Sequence, residues 1–343
     1  MAEAKSKVLI LYTGGTIGMI KDTDSGQLKT LDYDLIYSHV PELKRLNVEM
    51  TTMSFDTPID SSMMNEKDWI QIAETVYENY SKYDGFVVLH GSDTMSYTAS
   101  ALSFIFSGLT KPVILTGSQL PIGTIRTDGK ENLITAIEIA ARKNKDGEAL
   151  IQEVAIYFEY HLYRGNRSTK DSASHFQAFR SPNYPLLATA GVDIEFNTAK
   201  LYRSKNSVVS INTKLNNRVA VLKLYPGLAL SMYESIFDRN KVDGIILESF
   251  GAGNAPKDEL MKNYCSDFIS SGGFILNITQ CTTGFVHQGM YETSSIFKEA
   301  GVIGGLDLTT EAAVSKMMMA LGERDPKKCE EILRSNIRGE MTC

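Results

Sequence analysis

No stretch of the 343-residue sequence approaches the roughly 18 consecutive apolar residues needed to cross a bilayer. The opening apolar run, 8–12, follows Lys5 and Lys7. It is too short for a secretory signal core and runs straight into a glycine-rich turn, so it is expected to be a first strand. The four cysteines, Cys265, Cys281, Cys329 and Cys343, lie far apart without a C-x-x-C. That excludes a disulfide framework and a thiolate zinc site, and suits a reduced, cytoplasmic compartment. The five histidines, His39, His90, His161, His175 and His287, show no H-E-x-x-H or other ligand pairing. Each reads as structural or solvated, and no metal is expected. Basic residues are outnumbered, 35 against 41, giving a formal charge of −6. That balance argues against nucleic acid or an anionic membrane as the main partner. There is no G-x-S-x-G elbow and no G-x-G-x-x-G, only G-G-x-x-G at 14–18. A P-loop fails as well, because five residues separate Gly123 from Gly129 and Glu131 stands where a magnesium-binding hydroxyl is required.

What is present is an ordinary globular composition, 43% hydrophobic and 22% charged, in a chain long enough for about two domains. Short apolar runs at 8–12, 86–89, 113–116, 154–158, 219–224, 244–247 and 274–278 fit strands buried on both faces of a parallel sheet. Amphipathic stretches at 66–83, 96–106, 131–143, 257–270 and 311–321 alternate with them as helices. The first has Asn65 as cap and Asp68 in its first turn. The alternation predicts an α/β fold with right-handed crossovers. It breaks over 188–217, a polar, Asn/Thr/Ser-rich segment expected to be a linker or irregular hairpin between two lobes. Met317, Met318 and Met319 sit on a helical pattern and read as core filler.

In an open α/β sheet the ligand site lies outside the carboxyl ends of the strands. Three loops there are dense in hydroxyls and glycines: TGGTIG at 13–18, HGSDT at 90–94 and TGSQLPIGTIRTDG at 116–129. One such loop alone is adequately explained as a tight turn with a helix cap. Three together suggest donors converging on a small polar ligand.

These segments, with YRGNRSTK and GAGNAP, occur over nearly the whole chain in an order that resembles the cytoplasmic (type I) bacterial L-asparaginases, within the asparaginase/glutaminase family. The resemblance implies two α/β domains. The larger, N-terminal one is an open, doubly wound, Rossmann-like sheet over 1–190 that carries the nucleophile. A linker over 191–217 then leads to a smaller domain over 218–343. It implies hydrolysis of L-asparagine to L-aspartate and ammonia through a threonyl acyl-enzyme, without a cofactor, in a homodimer or homotetramer. Thr16 matches the nucleophile, and Ser92, Asp93 and Lys170 match the remaining catalytic groups. Asp60, Ser61 and Ser62 match the segment that holds the substrate's α-carboxylate, and Ser118 is expected in the same binding set. Asn254 is expected either to reach a neighbouring subunit's site or to be a plain turn residue.

The chemistry suits these side chains. A threonine hydroxyl needs a base within about 2.6–3.2 Å as it attacks an amide, and splitting the reaction through an ester eases both steps. Ser92 is expected to relay the proton and Lys170 to polarise Ser92. Asp93 would orient Lys170 and bind the substrate's ammonium. Backbone N–H groups around Gly15–Thr16 and Ser92 are candidates for the oxyanion site.

The sequence departs from the family pattern in three places. Gly26-Gln27 stands where a glycine and tyrosine are common, with Tyr33 the next tyrosine. Ser92 replaces the commoner threonine. Glu248 takes the place of an arginine that, beside a threonine matched by Thr169, serves a regulatory asparagine site in some members, so activation there is expected to be weak or absent. Three alternatives stay open: a glutaminase-asparaginase, the asparaginase-like subunit of a tRNA-dependent amidotransferase, and a non-catalytic amino-acid sensor. The second carries an extra N-terminal module, for which a first strand at about Val8 is expected to leave no room. The third is disfavoured by the complete set of reactive groups.

Overall fold

The computed structural model describes residues 5–18, 20–21, 28–29, 38–256, 258–288 and 292–342. The chain divides into two compact units, Met1–Ile211 and Asn212–Cys343. Among the described residues, the first is built on an eight-stranded sheet. In chain order its strands are β1 (Ser6–Tyr12), β2 (Val48–Ser54), β3 (Gly85–Leu89), β4 (Val113–Thr116), β5 (Val154–Phe158), β6 (His161–Arg164), β7 (Ala188–Ala190) and β8 (Ile194–Phe196). Their spatial order is 2-1-3-4-5-6-7-8. The first five positions are parallel, and β6, β7 and β8 add on antiparallel. The chain leaves β1 toward β2 on one side and returns to β3 on the other. That makes the β1/β3 boundary the topological switch point of the sheet.

Successive strand residues point to opposite faces, and both faces are covered. Val8, Ile10, Val87, Leu89, Ile114 and Ala155 join one core with Leu133, Ala136, Ile137 and Ala140 of helix α3 (Gly129–Ala141). The alternate residues Leu9, Leu11, Phe86, Val88 and Leu115 are equally buried. Helix α2 (Met95–Ile105), with α1 (Glu66–Asn79) against it, packs along β4 and β5. A capping box starts α1: Lys67 N–H donates to Asn65 Oδ1 and Asn65 N–H to Asp68 Oδ2. The helix stops at Asn79, short of the expected 83, because Lys111 Nζ takes the carbonyls of Tyr80 and Tyr83.

The segment expected as a linker over 191–217, within the stretch read as a linker or irregular hairpin, is paired rather than free. Its first part completes a β7–β8 hairpin on the edge of the sheet, and Ser210–Ile211 pairs with Phe106–Ser107. The division between the units falls after Ile211, because backbone pairing outweighs the polar composition of the segment. Edge strand β2 was not legible as an apolar run because its residues are only half-buried or exposed.

The second unit holds a four-stranded parallel sheet in sequential order: β9 (Val219–Lys223), β10 (Gly244–Ser249), β11 (Phe274–Thr279) and β12 (Ile303–Gly304). Leu222, Ile245, Leu247 and Ile275 face a core with Met261, Cys265 and Phe268 of α4 (Glu259–Ser270) and with Phe297 of α5 (Glu292–Glu299). Ile246, Leu276 and Ile278 face the other side, where α6 (Thr310–Gly322) and α7 (Pro326–Arg334) supply Ala313, Met317, Cys329 and Leu333. All three methionines of the Met317–Met319 run are buried. Glu248, next to the end of β10, has its carboxylate accepting from Thr310 Oγ1 at 2.7 Å and facing Lys223 Nζ at 3.5 Å.

Lys316 and Glu340 form an ion pair at 2.6 Å with both side chains fully buried. Lys316 also donates to the Ser335 carbonyl, and Glu340 accepts from the backbone N–H groups of Ile337 and Arg338. The pair ties the C-terminal segment to α6. Lys316→Met leaves the carboxylate buried without its cation and should cost about 3–5 kcal/mol, read by denaturant unfolding.

Candidate active site

The two loops at the switch point meet backbone to backbone. Gly15 has φ +90°, and a Cβ added to it would lie 2.5 Å from Gly91 N. A Cβ on Gly91 would in turn lie 2.5 Å from Ser61 Oγ. Only glycine permits this approach. Hydrogen bonds fix the same arrangement: Thr13 N–H and Thr13 Oγ1 both donate to Leu89 O, at 3.1 and 3.0 Å. Ile59 N–H donates to Thr13 O at 2.8 Å. Thr94 Oγ1 donates to Ser61 O at 2.7 Å. The TGGTIG, HGSDT and 59–62 segments are therefore one packed group. Thr16, half-buried, opens the short turn Thr16–Gly18 directly after Gly15, as Ser92 directly follows Gly91.

Lys170 lies on a two-residue ladder, Thr169–Lys170 against Phe179–Arg180. Its Nζ donates to Ser92 Oγ at 2.9 Å and to Asp93 Oδ1 at 2.5 Å. Lys170 is 17% exposed and Asp93 68%, so the lysine is the shielded member and the carboxylate presents its free side to solvent. Ser92 Oγ donates to Gln119 Oε1 at 3.1 Å, and Gln119 Nε2 donates to His175 O at 3.0 Å. Gln119 lies beside Ser118 in the TGSQLP loop, and that adjacency is its only signal in the sequence.

The remaining expected residues separate. Asp60 is exposed, and the Ser62 N–H on its carboxylate, at 2.9 Å, holds its pKa below the usual range. Ser61 is buried against Gly91, while Ser62 is exposed. Ser118 is buried and its hydroxyl donates to Leu120 O at 2.5 Å, which shapes the loop. Asn254 belongs to the second unit, where it closes a tight bridge with Phe250. Gly26, Gln27 and Tyr33 lie outside the described residues.

A buried polar layer supports the loops. Asp128 accepts from the N–H groups of Gln119 and Leu120 at 2.8 and 3.1 Å, and Asn132 Nδ2 donates to Gly117 O at 3.0 Å. His90 is fully buried, with Nδ1 2.7 Å from Gly91 O and Nε2 2.8 Å from Thr98 Oγ1. Trp69 Nε1 donates to that same hydroxyl at 3.1 Å. Burial pushes the His90 imidazole down to about 4. Among the described residues, no group of three or more His, Cys, Asp and Glu side chains is placed to hold a metal ion. No described helix is long and apolar enough to cross a membrane.

A two-unit α/β protein with a hydroxyl-, lysine- and carboxylate-bearing site at its switch point is the class these features define. Two family models match, "Asparaginase, N-terminal" over residues 7–202 and "Glutaminase/Asparaginase C-terminal domain" over 218–333. The chain is 39% identical to L-asparaginase 1 of Escherichia coli (strain K12) over 346 aligned positions, covering 98% of each. It matches the crystal structure of L-asparaginase I from Vibrio cholerae with a TM-score of 0.89 and 37% identity, covering 99% of this chain and 100% of that one. The thermostable L-asparaginase from Thermococcus kodakarensis gives a TM-score of 0.89 at 32% identity, covering 98% and 99%. The chain belongs to the asparaginase family.

Glu159 follows β5 close to Asp128 and Glu131. Burial, reinforced by those carboxylates, pushes its pKa up to about 7. Between its ordinary value and 7 the folded state binds the extra proton, so stability falls as pH rises through that window. Glu159→Gln should therefore raise the melting temperature relative to wild type above pH 7, and the gain should vanish toward pH 4.5.

Proposed function

We propose that the protein is an L-asparaginase, hydrolysing L-asparagine to L-aspartate and ammonia through an ester on Thr16. The observation that carries the reading is Lys170 held on both Ser92 and Asp93, on the loop whose Gly91 packs against Gly15. The close relatives, themselves L-asparaginases, support it.

In this scheme Thr16 Oγ attacks the side-chain amide carbon and loses its proton toward Ser92, whose hydroxyl turns from Gln119 and passes its own proton to the neutral amine of Lys170. Lys170 returns that proton through the relay to the leaving nitrogen, which departs as ammonia as the C–N bond breaks. Water then attacks the ester and gives its proton to the same relay, which returns it to Thr16 Oγ as the C–O bond breaks and aspartate is released. Asp93 binds the substrate's α-ammonium with its solvent-facing side. The segment of Asp60, Ser61 and Ser62 takes the α-carboxylate through its serine hydroxyls and backbone N–H groups, the Asp60 carboxylate itself being occupied by the Ser62 N–H. The Ser92 N–H and the Gly15–Thr16 backbone donate to the oxyanion, a type of contact worth about 3–4 kcal/mol each. The reaction takes place in the cytoplasm, in a homodimer or homotetramer, without a cofactor. Glu248, already bonded to Thr310 and Lys223, would repel an effector carboxylate, so the asparagine dependence is hyperbolic.

Two experiments test the scheme. Thr16→Ala should fold normally and lose nearly all turnover, and mass spectrometry of quenched wild-type enzyme should find an acyl adduct on the peptide spanning 8–21. An adduct on another side chain would displace Thr16 from the mechanism. Lys170→Met should leave KM within a few-fold and slow kcat by about 10²–10⁴, the usual worth of a general acid–base group. Unchanged kinetics would remove Lys170. Assays with asparagine and glutamine in parallel, without tRNA, separate this reading from a glutaminase, an amidotransferase subunit and a sensor.

A further inference from the structure

We propose that His90 is a positioning residue for the reaction: by holding the Gly91 carbonyl in the core, it aims the Ser92 N–H at the reacting group. The proposal rests on the reading of the Ser92 loop as part of an amide-hydrolysing site.

The argument begins with donors and acceptors. The Gly91 carbonyl only accepts, so the 2.7 Å contact requires the proton on His90 Nδ1. A neutral imidazole then has a lone pair on Nε2, and the Thr98 hydroxyl, 2.8 Å away, donates to it. Trp69 Nε1 donates to Thr98 Oγ1, which leaves the threonine proton free to point at the imidazole. Every polar atom of the His90 ring is thus used, and the chain Trp69–Thr98–His90–Gly91 has one direction and one tautomer. Burial keeps the ring neutral through the physiological range, as this chain requires.

The consequence lies in the peptide between Gly91 and Ser92. In a trans peptide the carbonyl and the N–H lie in one plane and point in opposite directions. With the carbonyl drawn to a fully buried imidazole, the Ser92 N–H faces away from the core, on the loop that packs against Gly15. The rest of His90 is pinned too: its own N–H donates to Thr116 O at 2.9 Å, and a Cβ on Gly117 would lie 2.3 Å from its carbonyl. The Gly91 carbonyl also opens the short turn Ser92–Thr94, so the ring and that turn set the peptide plane together. A phenyl or isobutyl group would fill the volume and leave that plane to the turn alone.

The test combines kinetics on asparagine with nitrogen NMR of histidine- and amide-labelled protein. Wild type should show His90 protonated at Nδ1 and unprotonated at Nε2. Thr98→Val, nearly isosteric, should lower kcat by about 10–100-fold, the scale of a misplaced catalytic contact, with KM within about threefold and the Ser92 amide resonance displaced. His90→Leu should lose at least as much. His90→Asn, whose Nδ2 still reaches the Gly91 carbonyl, should recover to within about tenfold of wild type. Should His90→Leu fail to fold, Thr98→Val decides. A wild-type kcat in Thr98→Val, a loss confined to KM or melting temperature, or a proton on Nε2 overturns the proposal. If the wild type turns over no asparagine yet shows the Nδ1 tautomer and a Ser92 amide that moves in Thr98→Val, the functional reading fails and the peptide-holding role stands.

Discussion

The contact between the Gly15 and Gly91 backbones is the constraint on which the rest of the site depends. Neither residue carries a side chain: a carbon added to Gly15 would collide with Gly91 N at 2.5 Å, and one added to Gly91 with Ser61 Oγ at 2.5 Å. Because the two chains touch there, the residues that follow them, Thr16 and Ser92, are brought to one place from strands separated by a whole crossover. The third partner, the 59–62 segment, is drawn in by the Ile59–Thr13 hydrogen bond and by Ser61 packed on Gly91. The strand order makes this meeting possible, since β1 and β3 are neighbours at the point where the sheet reverses its direction of winding.

Beneath that contact, a parallel sheet buried on both faces gives the loops a rigid base. The polar groups that remain inside are paired and aimed. Asp128 gathers the Gln119 and Leu120 N–H groups, Asn132 holds Gly117, and His90 holds Gly91. Each is a buried group bonding the backbone of a site loop, so the fold itself sets the loop shapes. Preorganised donors of this kind are worth more than mobile ones, because no reorganisation is needed as charge develops. The second unit repeats the same principle on a smaller scale, with a fully buried Lys316–Glu340 pair fixing the last turns of the chain.

The apolar runs at 113–116 and 154–158 coincide with β4 and β5, and the Asn65/Asp68 cap coincides with the start of α1. These features are local: a strand buried on both faces needs continuous apolar residues, and a cap needs its acceptor at one position. Edge strand β2 was not legible, because an edge strand is half-solvated and its pairing partner lies far away in sequence. The helix end at Asn79 was missed for a similar reason, since Lys111, which replaces the next turn, comes from another segment.

By itself, the sequence determined the fold class, the order of the loops and the set of candidate groups, because loop chemistry at strand ends is written in consecutive residues. The tertiary structure decided which of those groups meet. It paired Lys170 with Ser92 and Asp93, brought in Gln119, turned Ser118 inward and enlisted His90 beneath Gly91. Those outcomes depend on distances between segments tens of residues apart, and only the packed sheet sets them.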